Sequence, residues 1–189
     1  MIRINKNEEL SVSLKIRSLV IDPEELDGAE GEIARLLQRI IDDASSLDDL
    51  SDVISDEARD EMELCTEAVL RINAQDCIEI EYPENIDDEQ MRTTSKIIFH
   101  PDNPELVSMI KEGAINAYLS FEAGRTHVCT YDTPFMPFKI YVESRAVENR
   151  LIDQGRLHLN YVLNFADNPP QHFILDVEMT QPEQDGLLS

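Results

Sequence analysis

Glycine is scarce in this chain, six in 189 residues. No GxGxxG or GxxxxGK run occurs, so nothing in the sequence offers the close backbone approach that cradles a nucleotide phosphate. Cationic residues are scarce too. Sixteen Lys and Arg stand against 39 Asp and Glu, a formal charge of −23, and a surface that negative repels phosphate backbones and anionic lipid headgroups. That disfavours nucleic acid and membrane as partners, while colloidal repulsion and solubility account for the acidity equally well. No apolar run approaches the length of a membrane span. The opening MIRINKNEEL carries charges where a signal peptide would need its apolar stretch, so a soluble, unprocessed, cytoplasmic chain is expected.

Reactive motifs are missing as well. Cys65, Cys77 and Cys129 form an odd set without a CxxC, and each sits in an apolar or alternating stretch, which reads as reduced core thiols. There is no GxSxG elbow. His100, His127, His158 and His172 are scattered over separate segments with no helical metal spacing, so no metal, cofactor or catalytic residue is assigned. Carboxylates are too abundant for any pair to mark a general acid and base.

What remains is a chain that is 42% hydrophobic and 6% aromatic, enough for one packed domain over residues 1–189. Its patterning is mostly of period two. Leu10, Val12, Leu14 and Ile16 alternate with Ser11, Ser13, Lys15 and Arg17 in a first strand. Asp22-Pro23-Glu24-Glu25 breaks it, and Ile33, Leu36, Leu37, Ile40, Ile41 and Ala44 then recur at helical spacing. Leu47, Leu50 and Ile54 continue as a second short helix, with Ser46 or Ser51 as its N-cap. An acidic helical insertion over residues 23–60 is therefore expected, packing its Ile33 to Ile41 stripe on the rest of the domain. Its carboxylates lack the glycine of a calcium loop, since DASSLDDLSDVISDE contains none, and read as a solvated face.

Beyond Glu61 strand follows strand. Met62, Leu64, Thr66, Ala68, Leu70 and Ile72 alternate; Ile78, Ile80 and Tyr82 follow; Ile97 and Phe99 come after Thr93 and Ser95. Further runs lie at 105–111, 114–122, 126–132, 137–146, 156–166 and 172–180, separated by short turns. ESRAVENRL, with Arg145, Glu148, Asn149 and Arg150, reads as a capped turn after a strand. Short connections imply an antiparallel meander, and closure into a barrel removes its exposed edges.

The segments MIKEGAINAYLSFEAG, TYDTPFMPFKIY, ESRAVENRL and GRLHLNYVLNF, in that order, resemble the YwiB-like family of uncharacterised bacterial proteins. The markers are Gly113, Phe121 with Gly124, Tyr131 with Thr133, and Gly155, within a likeness running from about Glu61 to Met179. Two positions depart from the family pattern: Pro137 stands where a glycine is usual, and Lys111 where an arginine is. The insertion replaces a much shorter first hairpin loop. The resemblance implies a mainly β, antiparallel, calycin-like (lipocalin-like) barrel of 8 to 10 strands and no known reaction.

Two functions fit such a chain. The first is non-enzymatic binding of a small or apolar ligand in the barrel interior. Tyr161 is expected to point inward between Leu159 and Leu163, and His127 and Tyr131 share a face with Cys129; these three are the candidate ligand-binding residues, although neighbouring side chains alone would also satisfy them. The alternative is a protein-interaction module whose acidic insertion meets a basic protein partner, the barrel serving as scaffold.

Overall fold

A computed structural model describes residues 2, 4–6, 8–21, 39, 41, 47, 59–84, 93–113, 115–165 and 168–181. Its strands are β1 (Glu9–Ile21), β2 (Arg59–Ile72), β3 (Ile78–Glu84), β4 (Thr93–His100) and β5 (Asn103–Gly113). They continue as β6 (Asn116–Phe121), β7 (Thr126–Asp132), β8 (Pro137–Arg150), β9 (Arg156–Phe165) and β10 (Gln171–Thr180). One short helix, α1 (Leu151–Gln154), separates β8 from β9. Each strand pairs antiparallel with the next, and β1 pairs with both β2 and β10, so the ten strands close into a barrel.

The period-two pattern explains the interior. Val12, Leu14 and Ile16 of β1 face inward with Leu70, Ile80, Ile97, Val107, Phe121, Ile140, Leu159 and Val177, all within one hydrophobic core. Burying each such side chain contributes about 1.5–3 kcal/mol, which offsets the cost of ordering a long meander.

The two ends of the barrel differ. At the lower end, where β1 begins and β8 passes into β9, Ile2, Ile4 and Ile152 pack on the core and Ile2 N donates to Ile152 O at 2.9 Å. Leu151 of α1 is fully buried there. Asn149 fastens this stopper: its Nδ2 donates to Pro104 O at 3.1 Å and its Oδ1 accepts from Leu151 N at 3.2 Å. Gly155 follows with φ of 71°, and a Cβ at that position would run into the Met179 carbonyl. At the upper end, where β1 ends and β2 begins, the inward positions carry the half-buried rings of Tyr131, Phe138, Phe165 and Phe173.

Three expectations need correction. ESRAVENRL is no turn: residues 143–150 are the second half of β8. A register shift between Ser144 and Ala146 hides this, because the inward set passes from Val142 and Ser144 to Val147 and Asn149 and the alternation appears to stop. Cys65 is not a core thiol but exposed, since the β2 set Leu64, Thr66 and Ala68 faces inward and turns Cys65 out; only Cys129 is buried, and Cys77 is intermediate. Met62 shares the inward parity yet is 71% exposed, because it stands past the upper end of the core.

The helical insertion expected over 23–60 lies outside the described residues except for Arg39, Ile41, Leu47 and the start of β2. Arg39 and Ile41 have helical backbone, and Ile41 and Leu47 are buried.

Candidate ligand-binding site

Inside the barrel the three candidate residues stand on β7 and β9. Tyr161 sits in the middle, buried, with its ring edge-on to Phe121 at 4.8 Å and stacked on Phe173 at 5.4 Å. Burial alone pushes its phenol far above the ordinary range. On β7, Cys129 is buried and His127 and Tyr131 are half-buried, while Val128 and Thr130 face solvent, so the His127, Cys129, Tyr131 row does point inward. It runs along the strand, however, so its members differ in height. Tyr131 belongs to the upper rim, 5.2 Å from the Phe138 ring, which in turn lies 6.1 Å from Phe165. His127 stands toward the opposite end of β7, its buried Nε2 without a hydrogen bond and 3.6 Å from Glu122 Oε2. Ser144, the cross-strand partner of Tyr161, has a second buried atom without a partner, its Oγ.

A polar line descends from the upper rim. Lys111 Nζ lies 2.8 Å from Glu84 Oε1, Ser95 Oγ donates to the same oxygen at 2.7 Å, and Tyr82 hydrogen-bonds Ser95. Tyr82 is buried, and its phenol is pushed up first by that burial and then by the Glu84 charge. The register places Tyr82 opposite Ser95 and Ser95 opposite Lys111, all inward. None of these polar residues was singled out above as a site. The available signal was Thr93 and Ser95 standing on the same alternation as Ile97 and Phe99, which marks an interior turning polar toward one end.

The outer wall of β1, β10 and β9 holds a second buried group. Arg17, Asp176, His158 and Glu148 stand opposite one another in sequence across β1, β10, β9 and β8, followed by the row Leu19, Ile174, Asn160. His158 Nδ1 meets Asp176 Oδ1 at 2.6 Å, and Asp176 Oδ2 accepts from Leu47 N at 2.8 Å. Asn160 Nδ2 donates to Ile41 O at 2.8 Å, and its Oδ1 lies 2.5 Å from His172 Nε2. Leu19, Ile21 and Ile174 are buried beside them on outward positions. This wall is therefore covered, with Ile41 and Leu47 held to it through their backbone.

A closed, antiparallel, ten-stranded meander, stoppered at one end and aromatic at the other, is the class of protein this geometry defines. The chain belongs to the family described as a domain of unknown function (DUF1934), whose profile matches residues 50–177. That agrees with the resemblance carried by the segments between Met109 and Phe165. The crystal structure of the ywiB protein from Bacillus subtilis is similar over 92% of this chain and 94% of its own, with a TM-score of 0.56 and 12% identity, a likeness of fold alone. No curated protein matches the chain. Among the described residues, no helix is long and apolar enough to cross a membrane, and no group of three or more His, Cys, Asp or Glu is placed to hold a metal.

Proposed function

We propose that the chain is a non-enzymatic binder that takes the apolar part of a small molecule into the upper mouth of a calycin-like barrel. The observation that carries this reading is the rim itself. Tyr131, Phe138, Phe165 and Phe173 occupy inward positions yet stay half-exposed, and the Glu84–Lys111 pair stands among the inward residues of the same end. Apolar walls with a few fixed polar groups are what a small-molecule site requires. Tyr131 is then a rim residue and Tyr161, stacked on Phe173, the floor. Free thiols, one of them exposed, fit a reducing cytoplasm.

Titration with the neutral fluorophore N-phenyl-1-naphthylamine tests this. Saturable one-to-one binding is expected, with Phe138→Ala and Tyr131→Ala weakening it about tenfold, equivalent to ~1.4 kcal/mol. No saturable binding, or equal affinity in all variants, overturns the mouth as a site. Native mass spectrometry of protein from its host then identifies any retained ligand.

A second reading has its own support. Ile41 and Leu47 are buried on the outer wall, so an acidic helical insertion anchored there would present its carboxylates outward to a basic protein partner. Crosslinking in host cells with and without residues 23–58 separates the two readings, since loss of a captured basic partner without loss of fluorophore binding favours the second.

A further inference from the structure

One seam of the barrel leaves most of a long strand unpaired on one side. β2 pairs with β1 from Arg59 to Arg71 but with β3 only from Val69 to Ile72. Continuing that register would set Pro83 opposite Glu67, and proline has no N–H to carry the ladder on. The strands part there, with Thr66 Oγ1 reaching Pro83 O at 3.4 Å. A furrow opens on the outside, comprising a cavity of about 660 Å³ and another of about 300 Å³ that both touch Glu67 and Pro83. Among the described residues no strand lies along β2 from Arg59 to Ala68 on the side away from β1. Backbone donors and acceptors along such an edge are a template for another strand.

The edge also has two chemically distinct faces. Glu61 and Glu63 stand on the outward parity and Met62 and Leu64 on the inward one, with Glu61, Met62 and Glu63 exposed. Glu63 has Lys15 at 3.1 Å, whereas Asp60 and Glu61 have no ion pair among the described residues.

We propose that the Arg59–Cys65 edge of β2 is a docking strand for an extended, basic peptide segment of a partner protein. The peptide adds a strand beside β2; its Lys or Arg side chains, at every second position, meet Glu61 and Glu63, and the apolar residues between them meet Met62 and Leu64. The site is separate from the mouth and does not depend on it. Acidic side chains on an open edge also keep copies of one chain from pairing, and that role alone would leave basic peptides unbound.

Fluorescence anisotropy with a labelled peptide of alternating Lys and Val, long enough to span Arg59–Cys65, separates these roles. Saturable binding is expected, at least tenfold weaker when alternate peptide amides are N-methylated and also weaker when the same residues are arranged as a Lys block followed by a Val block. Glu61→Lys should weaken it severalfold, while Glu105→Lys, exposed elsewhere, should not. Hydrogen exchange should slow along residues 59–65 when the peptide is bound. Equal binding of the N-methylated or blocked peptide would reduce the effect to charge attraction and overturn the proposal. Absence of binding, with Glu61→Lys instead self-associating, would overturn it in favour of edge protection.

Discussion

Tyr82 and Tyr161 are buried phenols in one core, and each is pushed well above its ordinary value of 10.0 chiefly by loss of solvent. Their protons are therefore held more tightly in the folded chain than in the unfolded one. Stability from this source is complete below pH 10 and is lost as pH rises beyond it, by about 1.4 kcal/mol per pH unit for each phenol. Urea denaturation at pH 9, 10 and 11 should show that decline, and Tyr161→Phe, which keeps the ring contacts with Phe121 and Phe173, should make it shallower by one phenol's share. An unchanged slope would mean that Tyr161 ionises as freely in the fold as outside it. The inward place of Tyr161 was legible because Leu157, Leu159, Leu163 and Phe165 alternate strictly with it. The level at which it sits was not, since alternation fixes a face and gives no height along the barrel.

The same limit explains what was missed in whole elements. In β1, β9 and β10 the triplets Leu19-Val20-Ile21, Tyr161-Val162-Leu163 and Phe173-Ile174-Leu175 are apolar at both parities, the mark of strands covered on both faces. Only the period-two component was drawn from them, so His158, Asn160, His172 and Asp176 went unassigned although all four are buried. Their burial yields an element-scale prediction. Asp176 receives His158 and the Leu47 amide, so Asp176→Ala removes the buried acceptor of both bonds, at roughly 1–3 kcal/mol apiece. Cleavage within residues 22–58 under limited proteolysis should then outpace unfolding of the barrel; a variant cut no faster than wild type would show that Asp176 does not hold the segment. At the lower end, Gly155→Ala combines a left-handed φ with a clash against Met179 O, and its N–H and C=O already bond Leu151 O at 3.0 Å and Met179 N at 2.7 Å. A loss of about 1–3 kcal/mol by chemical denaturation is expected, with Gly124→Ala, whose Cβ would meet nothing, losing less.

At the scale of the molecule, charge sets the balance. One group of ion pairs lies on the outer wall from β1 to β5, where Arg71 meets Glu9, Glu79 and Glu81 and Lys96 meets Glu81 and Glu112. The glutamates raise the pKa of both cations, but apart from the pair with the buried Glu79 these are exposed or half-buried pairs, each worth about 1 kcal/mol or less and weakened by salt. Against them stands a net charge of −23, so even complete one-to-one pairing would leave 23 carboxylates repelling one another. The two contributions respond to salt with opposite signs. Raising ionic strength from 0.01 to 0.15 M shortens the screening length from about 30 Å to about 8 Å, which removes repulsion between distant carboxylates while contacts near 3 Å keep most of their attraction. Repulsion should therefore weaken faster than pairing, and the melting temperature should rise with NaCl over this interval. Arg71→Ala, by deleting the centre of the paired wall, should steepen that rise. A melting temperature that falls with salt would assign the larger share to the paired wall.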